Sequence, residues 1–431
     1  MDDWRDVILE EIADDVTVGH VGPMAAQYCD EGIPFLRSLS IEPFRITKEG
    51  LKYISANFHA RLPKSALAPG DVVIVRTGKP GASAVIPDWL PVANCSDLII
   101  IRCSNAIRPR YLCYVINSIA SHHIDTHLVG AVQQHFNVGS ARTLRFRLPR
   151  LDDQDAILSI LGALDDKIEL NRRMNATLEA MARALFKDWF VDFGPTRAKA
   201  EGRPPYLAPD LWALFPDALD GDDKPVGWEV KSLRDVTTEI RRGIGPKYCD
   251  QGGIRVLNQK CVRDRRIKLS LARRHDTSVR SVDGRMLHPG DLLVNSTGVG
   301  TLGRAAQVWT LDEPTIVDSH LTIVRTDTAK ARLHYFGLNL TGREAEIEEL
   351  GEGSTGQTEL SRVRLGDLPI LIPIRDVQDA FETVVSPLSD RREQNEQQSK
   401  TIVALRDLIL PKLMSGEIRL RDAEKSVEAV A

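Results

Sequence analysis

Three short stretches of this 431-residue chain carry residue types at spacings that could do chemistry. GVGTLG (298–303) fits the GxGxxG spacing of a dinucleotide-binding turn, whose glycines let the backbone approach a pyrophosphate at a helix N-terminus. Such a turn needs a strand before it and a helix after it. Here RAAQVWTLDEP follows, which is β-like and soon reaches a proline, so the expectation is a tight turn in a β-rich module. RPPY (203–206) has the outline of a loop that holds an amino group for methyl transfer, a task that needs an Asp or Asn acceptor. Arg203 accepts nothing, and no glycine-rich strand-to-helix turn for a methyl donor lies nearby. Asp217, Glu229 and Lys231 imitate the set used by metal-dependent nucleases, whose carboxylates must share one sheet to hold the ion. Asp217 instead falls in a Pro/Asp-rich connector, and Glu229 opens a new module. Cys95, Cys103 and Cys113, with His122, His123 and His127, are metal-ligand types, but their spacing is loose and no CxxC pair occurs. The six cysteines read as reduced thiols, and no metal site or cofactor is expected in this chain. With no GxSxG, HExxH or P-loop either, the residues favour recognition over catalysis.

The chemistry of recognition here is charge. The second half gathers Arg241, Arg242, Lys247, Lys260, Arg263, Arg265, Arg266, Lys268, Arg273 and Arg274 with few acids between them. In the first half Arg37, Lys48, Lys52, Arg61, Lys64, Arg76 and Lys79 are sparser. Arginine suits both phosphate clamping and bidentate contact with guanine. Two Thr-Gly turns, RTGKPG (76–81) and NSTGVG (295–300), add Thr77, Asn295, Ser296 and Thr297, whose short side chains could approach a phosphate or base edge. Gln133, Gln134 and Gln357 complete the candidate DNA contacts. A solvated charged face and purely structural turns are the competing readings. A net charge of −4 excludes a chain coated in positive charge and leaves a basic face open.

The elements that must position these residues occur twice. Tyr28-Cys29-Asp30 returns as Tyr248-Cys249-Asp250, and Pro69-Gly70-Asp71 as Pro289-Gly290-Asp291, both 220 residues on (248 − 28; 289 − 69). DLIIIR (97–102) corresponds to HLTIVR (320–325), 223 residues on at the closing arginine. Gln154-Asp155-Ala156 matches Gln378-Asp379-Ala380, and LDDKIELN (164–171) matches LSDRREQN (388–395), both 224 residues on. An offset that drifts by only four residues while the order of matches holds means an internal duplication. Each copy shows short β-like runs broken by Gly and Pro, then one long helical pattern.

The helical patterns follow heptads. In the first, Ile157, Leu161, Leu164, Ile168, Asn171, Asn175, Leu178, Ala182 and Leu185 advance mostly in alternating steps of four and three. In the second, Phe381, Val384, Leu388, Arg391, Asn395, Gln398, Ile402, Leu405 and Ile409 do the same. A seam of this period favours a coiled coil, and its polar middle would fix register. Two amphipathic helices on separate cores are the alternative. The expected organisation is a globular domain over 1–150, a helix over 151–193, a connector over 194–227 with a short helix near 210–215, a globular domain over 228–374, a helix over 375–418 and a tail over 419–431. Trp228 stands where Trp4 does in the first copy. No stretch is apolar enough to span a membrane, and MDDWRDVILEEIADD has none of the regions of a signal peptide, so the cytoplasm is the expected location.

Taken together, these segments resemble the specificity (S) subunits of Type I restriction-modification enzymes. The resemblance covers nearly the whole chain. It is carried by the PGD-β-TG turns (69–78 and 289–298), LDDKIELNRRMN (164–175), ALFKDWFVDFGP (184–195), LFPD (214–217), PVGWEVKSL (225–233) and LRDLILPKLMSGEI (405–418). RREQNEQQ (391–398) departs from it, being more polar than its counterpart in the first helix. The resemblance implies an α+β fold: two similar target-recognition domains separated by a long antiparallel two-helix coiled coil, related by a pseudo-twofold internal repeat. Each domain would read one half of a split, asymmetric double-stranded DNA target, with the coiled coil setting the spacer. Two methyltransferase (M) subunits would dock on the chain and methylate adenine at N6 with S-adenosylmethionine. Two restriction (R) subunits would add translocation and cleavage driven by ATP and Mg²⁺, the basis of phage defence. The S subunit would itself catalyse nothing. A stand-alone nuclease or methyltransferase, and a coiled-coil scaffold with no DNA role, are the alternatives.

Overall fold

The computed structural model describes residues 4–48, 50–118, 136–353 and 358–418, together with residues 420, 422, 423 and 425. The chain forms two compact units, Met1–Asn171 with Gln397–Ala431, and Arg172–Glu396.

In the first unit, VVIV (Val72–Val75) and Leu98–Cys103 are the central strands of a four-stranded antiparallel sheet, flanked by Ser83–Val85 and Ala13–Val18. A continuous apolar run suits a strand covered on both faces. Alternate residues serve different cores: Val72, Ile74, Ile99 and Ile101 pack with the helices Pro109–Ser118 and Leu151–Phe190. Val73, Val75, Leu98 and Ile100 turn to the other face, toward Leu36, Leu67 and Cys95 of a five-stranded sheet. That sheet runs Tyr28–Cys29, Lys52–Ile54, Ile33–Leu36, Ala93–Cys95, Ala66–Leu67, with Ile33–Leu36 and Ala93–Cys95 parallel. Arg5–Ile8 pairs with Arg145–Leu148 just before the long helix.

The second unit repeats this order. Its four-stranded sheet is Thr237–Arg242, Leu321–Thr326, Leu292–Asn295, Ala305–Gln307, and again Leu292 and Val294 face one core while Leu293 faces the other. The companion sheet is Tyr248–Cys249, Arg273–His275, Ile254–Leu257, Thr315–Val317, with the last pair parallel. Glu229–Ser232 pairs with Pro369–Ile372 before the second long helix, and Leu333–Thr341 takes the place of Pro109–Ser118. The expected connector contains two short helices, Gly194–Ala200 and Pro209–Leu214.

Three of the repeated sequence markers are structural latches. Asp71 and Asp291 each accept a turn N–H, from Ala68 at 3.0 Å and His288 at 2.8 Å, and the glycines before them have φ of +92° and +95°. The closing arginines pair inward: Arg102 with Asp15 at 2.5 Å, and Arg325 with Asp291 at 2.6 Å and Glu239 at 3.1 Å. Buried Gln154 and Gln378 tie the start of each long helix to the domain before it, accepting from Arg108 N at 2.8 Å and Arg332 N at 3.0 Å. Their neighbours Asp155 and Asp379 hold the side chains of the same two arginines.

The long helices, Leu151–Phe190 and Arg375–Ser415, contribute a stretch to each unit and run antiparallel there. In the first unit Leu161, Leu164, Ile402 and Ile409 are buried, Ile168 and Leu405 partly so, and Asn171 donates to Gln398 Oε1 at 2.9 Å and Ser399 Oγ at 3.2 Å. In the second, Asn395 donates to Asn175 Oδ1 at 2.8 Å among Ala182, Val385 and the partly buried Leu178, Leu185 and Leu388. One seam position is corrected. Arg391 was expected inside but is exposed, and Arg392 turns inward in its place beside buried Val385, while Val384 is partly buried against the core as expected. The polar run RREQNEQQ hides the frame, because several residues in it satisfy a heptad equally well.

Among the described residues no helix is long and apolar enough to cross a membrane.

Candidate nucleic-acid interface

The candidate contacts fall into residues held internally and residues left at the surface. Arg76 forms an ion pair with Asp97 and donates to Phe136 O at 3.2 Å, and Thr77 bonds Asp97 at 3.3 Å. Arg37 donates to Gly50 O at 2.9 Å. Arg241 pairs with Glu239, and Arg242 with Glu359. Arg274 is held by Glu313 at 2.7 Å, and Lys268 by Asp264 at 3.1 Å. Arg266 reaches Glu179 at 3.1 Å and Glu396 at 3.5 Å on the long helices, which makes it a strut between domain and helix pair within its unit. The cation excess read along the sequence is therefore partly cancelled by acids from distant segments.

Two expectations are corrected outright. Asn295 and Ser296 are fully buried: Asn295 donates to Gln259 O at 3.2 Å, and Ser296 shares a 2.6 Å bond with Thr322. Neither can touch a base edge as it stands. Their turn reaches the surface one residue later, where Thr297 bonds Gln259 Oε1 at 3.0 Å and His320 Nδ1 at 2.8 Å. Gln259 and His320 thus shape this turn, and no motif announced them. His320 does occupy the place of Asp97 in the first copy, which in turn holds Thr77.

Lys48, Lys52, Arg61, Lys64, Lys79, Lys247, Lys260 and Arg273 are exposed, Arg263 is half-buried, and none has an acidic partner among the described residues. Several lie over aromatic rings, which restrains long side chains at low cost: Lys48 over Trp89 at 4.4 Å, Arg61 over Phe58 at 5.3 Å and Arg273 over Tyr248 at 3.3 Å. Arg265 is exposed at the tip of a hairpin with both turn residues at positive φ, and donates to Thr341 O at 2.9 Å. Gln133, Gln134 and Gln357 lie outside the described residues.

The catalytic lookalikes are dispersed by the fold. Asp217 pairs with Lys199 at 3.0 Å, whereas Glu229 and Lys231 pair with each other at 2.9 Å. The Lys231 ammonium holds the exposed Glu229 carboxyl below its usual range. Tyr206 of RPPY donates to Asp188 at 2.9 Å, and Arg203 pairs with Glu201 at 2.6 Å. GVGTLG leads into the strand Ala305–Gln307 rather than a helix. Burial raises the thiol of Cys103 to about 12 and that of Cys113 to about 12, so neither is a ready thiolate ligand. His122, His123 and His127 lie outside the described residues.

Known proteins resemble the chain throughout its length. Residues 3–180 match the family described as the Type I restriction modification DNA specificity domain. The Type I restriction enzyme HindI specificity subunit of Haemophilus influenzae is 26% identical over 332 residues, covering 65% of this chain and 70% of that one. The MjaIX specificity subunit of Methanocaldococcus jannaschii is 24% identical over 286 residues, covering 64% of this chain and 60% of that one. In fold, the crystal structure of a Type I restriction-modification S subunit from M. genitalium matches with a TM-score of 0.55 at 12% identity, over 95% of this chain and 96% of the other.

Proposed function

We propose that this chain is a Type I restriction-modification specificity subunit that reads a split asymmetric DNA sequence through its two globular domains and catalyses nothing itself. The observation that carries this reading is the duplication of one two-sheet module, in which the folding latches are kept and the exposed residues differ. Two modules alike in fold and unlike at the surface suit two half-sites of unlike sequence. The antiparallel helices would act as a spacer and as the dock for two methyltransferase subunits that use S-adenosylmethionine. Two restriction subunits using ATP and Mg²⁺ would complete the assembly in the cytoplasm.

Unpaired cations would neutralise phosphates, while exposed residues of the turns would meet base edges. Mapping N6-methyladenine in cells carrying this chain and its methyltransferase subunits tests the reading. The expected result is one asymmetric sequence split around an unspecified spacer. A contiguous site, or methylation without regard to sequence, would refute it. DNA cleavage or methylation by the isolated chain would support the enzyme alternative instead.

A further inference from the structure

The repeated markers do not all share one explanation. Pro-Gly-Asp, the closing arginine and Gln-Asp-Ala each end in bonds inside a domain. Tyr-Cys-Asp differs: its cysteines bond their own turns and the Tyr248 hydroxyl reaches buried Asp318, yet its tyrosine rings sit on edge strands, half-buried at Tyr28 and 40% exposed at Tyr248. We propose that Tyr28 with Lys52, and Tyr248 with Arg273, are matched phosphate anchors that seat each globular domain on the DNA backbone without regard to sequence. This rests on the DNA-reading function above and names the residues that position it.

The two pairs occupy the same register. Tyr28 lies opposite Ile54 and Tyr248 opposite His275, and in each case the cation lies two residues earlier on the opposing strand. Residues so placed share a sheet face as diagonal neighbours. The Lys52 ammonium is 5.9 Å from the Tyr28 ring centre, and the Arg273 guanidinium is 3.3 Å from that of Tyr248. Both cations are exposed without an acidic partner among the described residues, unlike Arg274 next door, which Glu313 holds.

The turn behind each tyrosine is also fixed. A Cβ on Gly32 would fall 2.4 Å from Ile54 O, and one on Gly253 2.1 Å from His275 O. Their φ values, +145° and +63°, likewise demand glycine. Each turn therefore presses on the strand that carries the cation, holding tyrosine and cation together. A cation resting on a ring gives up less side-chain freedom when a phosphate arrives. Lysine and arginine exchange between the copies, which phosphate contact tolerates and base reading does not. The tips of the Thr-Gly turns behave oppositely: Lys79 in one copy corresponds to Val299, 88% exposed, in the other.

The test measures binding of the full-length chain to mixed-sequence DNA duplexes of about 30 base pairs, from about 50 to about 300 mM salt. Each phosphate contact adds about 0.9 to the slope of log affinity against log salt. Lys52→Gln and Arg273→Gln are each expected to make that slope shallower by about 1, and the double variant by about 2, equally on unrelated duplexes. Melting temperatures should stay unchanged, and Lys52→Arg and Arg273→Lys should restore the slope. Unchanged slopes with lowered melting temperatures would make the pairs structural braces and overturn the proposal. A loss confined to one DNA sequence would overturn it too, as that marks base reading. If the wild-type chain binds without salt dependence, the DNA-reading function itself fails. If the wild type is steep and the variants match it, only the anchors fail.

Discussion

Glu179 concentrates the charge chemistry of the helix pair in its unit. It accepts from Arg183 and from Arg266 at 3.1 Å, with Arg392 at 3.9 Å. Burial pushes its carboxyl upward, but Arg392, Arg266 and Arg183 outweigh this and hold it below its ordinary 4.5. A depressed carboxyl stabilises the fold fully above its unfolded value, and that contribution is lost as pH falls through the folded value. Glu179→Gln is therefore expected to cost about 1–3 kcal/mol near pH 7, since it leaves the inward stem of Arg392 less compensated. Its stability should also fall less than that of the wild type as pH drops below about 4.5. Denaturant unfolding at several pH values reads both effects; equal acid sensitivity in the two proteins would contradict the assignment. This cluster also shows why the candidate interface was only partly legible. Arg266 looked like one more cation of a basic run, but its acids lie at residues 179 and 396, and nothing in the local sequence links them. Lys52 and Lys79 are exposed as expected because no acid among the described residues holds them. Asn295 and Ser296 were misplaced because a Thr-Gly turn does not reveal where its strand ends.

At the scale of the long helices, apolar steps of four and three were readable wherever leucine and isoleucine mark the seam. They failed at Arg391, where charged side chains fill the run and Arg392 turns inward instead, while Asn395 and Gln398 lie in the seam as read. The polar layer itself is organised by the duplication. The Asn171–Ser399 bond and the Asn175–Asn395 bond exchange under the 224-residue shift of the repeat (395 − 171; 399 − 175). Amides buried in such a seam specify register at a cost in stability. Asn395→Leu alone removes a donor from buried Asn175 and is expected to destabilise by about 1–3 kcal/mol. Asn175→Leu with Asn395→Leu replaces both partners and should be neutral or stabilising by about 1 kcal/mol. Chemical unfolding of the single and double variants measures the coupling; additive losses would mean that the two amides act independently. The double variant should retain helix content while losing its preference for one register. Cross-linking between cysteines introduced at exposed positions of the two helices can follow that loss.

The whole molecule is one module used twice, and the duplication was the most legible feature of the sequence because glycine, proline and aspartate markers survive where the strands between them drift. It also constrains how the spacer can be altered. Both long helices take part in both units, so shortening one alone would put the pairing of the two units out of register by a heptad. Removing residues 168–174 together with 396–402, the stretch that faces them, takes one heptad from each helix and keeps Asn175 opposite Asn395 as the polar layer. Seven residues of helix rise about 10 Å, which is about three base pairs along DNA whose turn of about 34 Å holds some 10 of them. A heptad turns the helix through almost two full circles, with a drift of only about 20°. Three base pairs, by contrast, rotate the DNA by about 100°. The expected outcome is a target with both half-sites unchanged, a spacer shorter by about three base pairs, and weaker binding, because facing and spacing can no longer both be matched. Methylation mapping of the doubly shortened protein measures all three. Altered half-sites with an intact spacer would mean that the helices do not set the distance being read.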